Sequence, residues 1–249
     1  MKLNKILDFV NFVIAKEQSG DILSPAKFNT LLPAVNLNMY NSKVKEAELF
    51  ALQNGMLLGK ALLGSNLLRE FHANQTITFS GGHYNLTGLS STFGYFGTLT
   101  AIVNNRRVEI EPVTVSEFTE RRTNLIHTYN AIEDYPIVVL YGSLMDVYPT
   151  NITSSDFWYI KLPTDPVYDY YLDQYQNKVY LEVSESHLLT TGETGSAGQI
   201  AGQTVNSLTV ELEWNAISHL DFCYELIKKC SPNLDKPQLY QYAQQEKVL

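Results

Sequence analysis

The chain of 249 residues carries only two cysteines and two tryptophans. Cys223 and Cys230 lie seven apart in a stretch with helical periodicity, which puts their Cα atoms roughly 10 Å apart at helical rise. That is beyond disulfide reach, so two buried thiols are expected, a state compatible with a reducing environment. Basic residues are also few, at 18 against 26 acidic ones, giving a net charge of −8. The only basic pairs are Arg106-Arg107, Arg121-Arg122 and Lys228-Lys229. Sequence-independent nucleic-acid binding needs clustered Lys and Arg, so a chain this acidic repels DNA rather than holding it. No apolar run approaches the length of a membrane span.

Reactive patterns are missing as well. The five histidines (His72, His83, His127, His187 and His219) are scattered, with no paired metal-ligand spacing. There is no G-x-S-x-G elbow, and neither cysteine has helix-start context. Gly192, Gly195, Gly198 and Gly202 recur, but no Lys-Ser/Thr follows and no strand-loop-helix frame surrounds them. The QSGDILSPAKF segment around Asp21 lacks the alternating ligands of a calcium loop. Glu109 and Glu111 sit two apart on a strand-like run, so both are expected on one solvated face. No catalytic, cofactor-binding or metal-binding residue is nominated.

What the chain does have is aromatic bulk. Sixteen tyrosines and eleven phenylalanines stand beside 45% hydrophobic residues. This composition is globular. Tyrosine at that frequency suits a β-rich core, and equally suits surfaces that pack with one wet end.

The start, MKLNKILDFVNFVIAKEQSGD, has a signal-peptide look. Asp8 and Asn11 interrupt it, no small-residue cleavage site follows, and Leu3, Ile6, Leu7, Val10, Val13 and Ile14 trace one helical stripe. The three sequons at Asn74, Asn85 and Asn151 carry little weight without a secretory signal. Residues 1–70 read as helical. Ser24-Pro25 opens a second helix with a cap and a proline at the first helical position. It carries Phe28, Leu31, Leu32 and Val35, and Pro33 is expected to break or kink it. A further helical stretch over about 43–70 is interrupted by Gly55, Gly59 and Gly64.

From Thr76 the character changes to strand-like runs at 76–79, 96–103, 108–113, 137–141, 144–148 and 157–162, as in an antiparallel sheet or small sandwich. Gly142-Ser143 reads as a hairpin turn. One short helix, 114–126, opens with the capping box Thr114-Val-Ser-Glu117. Residues 184–207 form a Gly/Thr/Ser-rich excursion too poor in apolar residues to pack alone. It is expected to be mobile by itself and ordered against a neighbouring subunit. Val179–Val183 and Leu208–Leu212 read as the paired strands at its base.

After a further strand, Ile217, Leu220, Tyr224, Ile227 and Cys223 recur at helical spacing, so that face is expected to be buried. A tail helix follows, with Asp235 as cap and Pro237 at its first position. Leu239, Tyr242 and Val248 are too few to hold it on the parent domain, so it is expected to dock elsewhere. The resulting fold class is α+β: a bundle of N- and C-terminal helices with an inserted antiparallel β domain. Its parts are a helical region 1–70, a β-rich domain 71–213, and a C-terminal helix and tail over 214–249. The last part packs with the N-terminal region or with neighbouring subunits.

Several pieces stand in a collinear order. LDFVNFVIAKEQSGDILSPAKFNTLLPAVN, VEIEPVTVSEFTERRTN, YPIVVLYGSLMDVYPTNI, FWYIKLPTDPVYDY and ELEWNAISHLDFCYELIKKC…YQYAQQEK resemble segments of structural proteins from crAss-like and related short-tailed bacteriophages of gut Bacteroidetes. The likeness covers roughly two-thirds of the chain. Residues 54–105 match least, and 184–207 is particular to this chain. The resemblance implies a non-enzymatic ring or adaptor protein of the head-to-tail connector. Such proteins stack beneath the portal as dodecamers around the DNA channel. The implied partners are copies of itself, the portal, other connector or tail proteins, and viral DNA that passes without specific binding. No membrane is involved, no cofactor is implied, and the implied location is the virion after assembly in the host cytoplasm. Tyr168, Tyr170, Tyr171, Tyr240 and Tyr242 are candidate interface anchors, because interface energy concentrates in such side chains; local packing is the other reading of them. A carbohydrate-binding or fibre-attachment β module of a phage tail is the rival class, since Tyr- and Asn-rich loops suit sugar stacking. Such a module has less need of apolar N-terminal helices.

Overall fold

The computed structural model describes residues 2–17, 23–103, 106–123 and 135–230. The tail helix over 235–249, with Tyr240 and Tyr242, lies outside the described residues. The chain is mixed α+β, with five α-helices and a large curled seven-stranded sheet among the described residues. It divides into two compact units: residues 1–42 with 163–249, and residues 43–162.

In the first unit, helix α1 (Leu3–Glu17) buries Leu3, Ile6, Leu7, Val10 and Ile14 of the expected stripe and leaves its sixth member, Val13, half-buried. Helix α2 (Pro25–Asn54) starts as anticipated, with the Lys27 N–H donating to the Ser24 hydroxyl oxygen at 3.3 Å and Pro25 in the first turn. It does not break at Pro33. The helix runs on through residue 33 and forgoes one backbone donor, because Phe28, Leu32, Val35 and Met39 keep one buried stripe on either side of it. It ends at Gly55, whose φ of 61° suits a residue without Cβ, and the Met56 N–H reaches back to the Ala51 carbonyl at 3.0 Å.

Three helix asparagines then act on extended chain. The Asn11 side chain accepts from the Leu23 N–H at 2.8 Å and donates to its carbonyl at 3.4 Å. Asn29 does the same to Tyr168, at 2.8 Å in both directions. Asn36, which is buried, accepts from the Trp214 indole N–H at 2.7 Å and donates to the Thr164 carbonyl at 3.0 Å. A carboxamide has one acceptor and one donor group, so it can stand in for the backbone partner that an irregular segment lacks. Glu211 adds a carboxylate version, accepting from the Leu3 N–H at 2.9 Å and the Tyr180 hydroxyl at 2.6 Å.

Helix α5 (Ser218–Cys230) lies against α1. Its buried face is His219, Phe222, Cys223, Leu226, Ile227 and Cys230. This corrects the expected stripe: Ile217 is 87% exposed and Leu220 51%. Phe222 and Leu226 bring more apolar area to the core than Leu220 and Tyr224, which turns the helix by part of a turn, and Ile217 precedes its first residue.

The second unit holds the end of α2, helix α3 (Leu58–Gly64) and a 3-10 segment, Asn66–Phe71. Its sheet uses β1 (His72–Thr78), β2 (His83–Asn85), β3 (Phe93–Val103), β4 (Arg106–Val113), β5 (Ile137–Tyr141), β6 (Leu144–Tyr148) and β7 (Ser154–Lys161) in the order β1-β7-β3-β4-β5-β6-β2. All neighbours are antiparallel except β4 and β5, which are parallel. The expectation of a wholly antiparallel sheet is corrected there. A parallel pair needs a crossover, and the stretch between those strands carries helix α4 (Val115–Thr123). Its capping box forms as read: the Thr114 N–H donates to Glu117 at 2.8 Å, and the Glu117 N–H to the Thr114 hydroxyl oxygen at 3.2 Å. Gly142, at φ 60°, turns the β5–β6 hairpin. Inward residues Leu99, Ile110, Val138, Met145, Val147, Phe157 and Tyr159 form the core.

Helix α3 reaches β3 through glycine. A Cβ on Gly59 would collide with the Phe96 carbonyl and stand 2.7 Å from that of Gly97.

The remaining strands belong to the first unit: β8 (Tyr170–Leu172), β9 (Lys178–Tyr180), β10 (Ser186–Leu188), β11 (Thr194–Gly195) and β12 (Thr204–Asn206). The expected strand pair at the base of the excursion is not what forms. β9 pairs with β8, Val210 bridges to Val167, and β10 pairs with β12 inside the excursion. The excursion also packs more than its composition suggested, because Leu189 and Val205 are buried with Leu181 against Tyr171.

Two substitutions check these contacts. Asn36→Leu removes the Asn36 partner of the buried Trp214 N–H and of the carbonyl of exposed Thr164; a loss of about 2 kcal/mol is expected, chiefly from the indole, at roughly 1–3 kcal/mol for leaving a buried group unpaired, measured as a fall in the urea midpoint. Gly59→Ala forces α3 off β3 and is expected to cost about as much as overpacking does, roughly 1–3 kcal/mol; an unchanged melting temperature would show that the α3 contact is dispensable.

Candidate functional site

Of the five tyrosines singled out, three are described, and they fall into two clusters of the first unit. Tyr168 is buried, its ring edge-on to Phe28 at 5.7 Å and close to Tyr180 at 4.9 Å and Tyr170 at 6.2 Å. Burial pushes its phenol up to about 12. Tyr170 is half-buried, with the Lys178 ammonium 5.8 Å from its ring centroid. Tyr171 stacks on His187 with centroids 4.0 Å apart. The His187 imidazole meets Glu193 at 3.0 Å, and Glu193 also accepts from the Thr190 N–H at 2.6 Å, which holds its carboxyl below the usual range.

Between these clusters lies Asp169, a buried carboxylate that the sequence reading did not single out. One oxygen accepts from the Tyr170 N–H at 2.9 Å and the Ser196 hydroxyl at 2.6 Å. The other accepts from the Leu208 N–H at 3.0 Å. A buried charge persists only when it is hydrogen-bonded, and here the partners are Tyr170 beside it, Ser196 in the excursion and Leu208 just after it. This carboxylate is a staple that ties the chain at Ser196 and Leu208 to β8.

The second unit brings together His83, Asp146 and Tyr141 from β2, β6 and β5. The His83 imidazole contacts Asp146 through Nδ1 at 2.6 Å, and the Tyr141 hydroxyl donates to the other oxygen of the same carboxylate. That bond pushes the Tyr141 phenol up to about 12, so it stays a donor. An oriented imidazole with a carboxylate behind it is half of a general-base device. No serine, threonine or cysteine among the described residues hydrogen-bonds the His83 ring, and the trio cross-links the edge β5-β6-β2. Nothing in the sequence flagged it, because only strand register aligns His83 with Asp146.

Two further histidines meet backbone carbonyls. His72 contacts the Leu62 carbonyl at 3.3 Å and His219 that of Trp214 at 2.9 Å, each lowered chiefly by burial. His127 lies outside the described residues. No group of three or more metal-ligating side chains converges among the described residues, and no described helix is long and apolar enough to cross a membrane. Glu109 and Glu111 both lie on the exposed face, as their spacing suggested, with Glu109 2.9 Å from the Lys60 ammonium. An open cavity of about 560 Å³ is lined by Leu86–Thr87, Leu89–Phe93 and Gly142-Ser143, which bring no ionisable side chain.

Two surfaces differ from this internally satisfied pattern. The end of α2 and the turn after it expose Leu49, Phe50, Leu52, Met56 and Leu57, with Leu52 at 79%. The outward face of β1-β7-β3 exposes Trp158 at 40%, between Phe157 and Tyr159, which point inward.

In comparison with known proteins, the chain matches no family model and no curated protein.

Burial raises the thiols to about 12 at Cys223 and about 11 at Cys230, from an ordinary 9.0. Unfolded thiols ionise near that ordinary value while the folded ones stay protonated. Their stabilisation is therefore complete below about pH 9 and falls as pH rises through the window up to 11–12. The urea midpoint is expected to drop between neutral pH and pH 10 by less in a Cys223→Ala, Cys230→Ala chain than in the parent. Alkylation of both thiols is expected only in urea.

Proposed function

We propose that this protein is a ring or adaptor subunit of a bacteriophage head-to-tail connector, joining portal to tail around the DNA channel. The observation that carries the reading is the apolar surface at the end of α2. Leu49, Phe50, Leu52, Met56 and Leu57 are exposed within nine residues, while Val44, Ala47 and Ala51 of the same helix are buried. A helix segment apolar on both faces is stable only when both are covered. Contiguous exposed apolar patches mark protein–protein contacts. The collinear resemblance of the N-terminal, β and C-terminal segments to connector proteins supports the same reading.

In this proposal the N- and C-terminal helices form a bundle from which the β domain is inserted, and the packing of α1 on α5 supports that arrangement. Copies meet head to tail and close into a dodecameric ring. The buried Asp169 and the half-buried His187–Glu193 and Asn29 contacts suit a rigid wedge, and a structural ring needs no catalytic group. Tyr170 and Tyr171 serve as further anchors toward a neighbouring subunit, and Tyr240 and Tyr242 serve on the tail. The net charge of −8 leaves the channel wall acidic or neutral, so that passing DNA does not adhere. The subunit acts without cofactor in the virion, after assembly in the host cytoplasm with portal and tail proteins.

The test is particle mass of the purified full chain, alone and mixed with portal particles, together with imaging of the rings formed. Leu52→Asp combined with Phe50→Asp is expected to leave the melting temperature within about 1 kcal/mol equivalent, as exposed positions do, and to abolish ring formation. Rings that survive this double variant, or a monomer that ignores the portal, would overturn the reading.

A further inference from the structure

The outward face of the seven-stranded sheet supports a second function that does not depend on ring assembly. Cross-strand register places Trp158 of β7 directly between Asn74 of β1 and Thr98 of β3. Directly opposed side chains on one sheet face have Cβ atoms roughly 4.5–5.5 Å apart. An exposed indole therefore stands in a row with a carboxamide and a hydroxyl, on a face that carries Thr76, Thr100, Arg107 and Asp156 beside one exposed apolar residue, Ile102 at 72%. Neither the indole N–H of Trp158 nor the carboxamide of Asn74 is engaged by another described group.

The next row is a fixed network. The Asp156 carboxylate accepts from the Thr76 hydroxyl at 2.9 Å and from the Arg107 guanidinium at 2.7 Å. Its charge is matched where it stands, so the face offers hydrogen-bond donors and acceptors without a surplus cation to draw phosphate or sulfate. Held strand positions also mean that little order has to be imposed when a ligand arrives.

We infer that this face binds a neutral hexose glycan. A pyranose ring has one face of C–H groups and an equatorial rim of hydroxyls. The C–H face suits the negative face of an indole, and the rim suits donor–acceptor groups such as Asn74 and the Asp156–Arg107 pair. A purely apolar partner would leave Asn74 desolvated without a hydrogen bond, which is costly, whereas the Thr98 hydroxyl already donates to Glu109 at 3.1 Å. A nucleic acid would meet the chain's acidic balance. One aromatic platform supports weak binding, roughly in the millimolar range, as expected when few ligand atoms are buried.

The experiment uses tryptophan fluorescence and calorimetry of the full chain with cellohexaose, laminarihexaose, maltohexaose and mannohexaose. Trp214 is 3% exposed against 40% for Trp158, so iodide quenching reports on the sheet face almost alone. At least one hexaose is expected to shift the emission saturably and protect it from iodide. Trp158→Ala is expected to weaken binding by roughly tenfold or more, equivalent to one stacking contact. Asn74→Ala removes no core contact and is expected to weaken it by a smaller factor, with the melting temperature unchanged. Absence of a saturable response to all four sugars overturns the inference. So does undiminished binding in a folded Trp158→Ala chain. Iodide protection that grows with protein concentration and ignores sugar would also overturn it, showing the face to be a contact between copies.

Discussion

A side-chain carboxamide substituting for a backbone partner is the interaction on which the first unit depends. Residues 163–217 contain short strands and long stretches without a ladder. Such chain can be buried only if its N–H and C=O groups find partners elsewhere. Asn29 and Asn36 supply them from a helix, and Asn11 treats Leu23 in the same way. Because each carboxamide both donates and accepts, it specifies direction as well as position. Remove it and two polar groups lose that partner at once, so an apolar replacement of equal size does not restore the site.

The sheet of the second unit is organised by a different constraint, that of approach distance. Gly59 and Gly97 let α3 settle on the β3 backbone, and the bulges in β3 near Phe93–Thr98 lie at the same place. Beyond the reach of α3 the outer face is free to be polar. Trp158 stands at this change from covered to open sheet, which gives one strand both a core role, through Phe157 and Tyr159, and a surface role. The two proposals therefore draw on separate surfaces, the apolar end of α2 for assembly and the polar face of β1-β7-β3 for ligand.

Much of the secondary structure was legible. The hairpin at Gly142, the capping box at Thr114, the start of α2 at Ser24-Pro25 and the α1 stripe each follow from local rules that act within a few residues. The errors also have physical causes. Pro33 did not end α2, since side-chain packing on both sides outweighs one missing hydrogen bond. The face of α5 was misjudged because Leu220 and Phe222 both fit a helical period, and only the opposing surface chooses between them. The parallel β4–β5 pair carries no local mark at all.

Candidate sites were less legible than elements. The tyrosines drew attention by frequency, yet frequency does not separate Tyr168, packed on Phe28, from Tyr171, stacked on His187. Asp169, the His83–Asp146–Tyr141 trio and the Asn74–Trp158–Thr98 row are each assembled from segments far apart in the chain. Taken alone, the amino-acid order determined an acidic, aromatic α+β chain with two thiols too far apart to bridge and capped helices, because charge, period and capping are properties of neighbours. Which face of α5 is covered, which carboxylate is stapled and which tryptophan meets water were decided only by tertiary structure. Those outcomes depend on register and burial, which arise when distant segments compete for the same core.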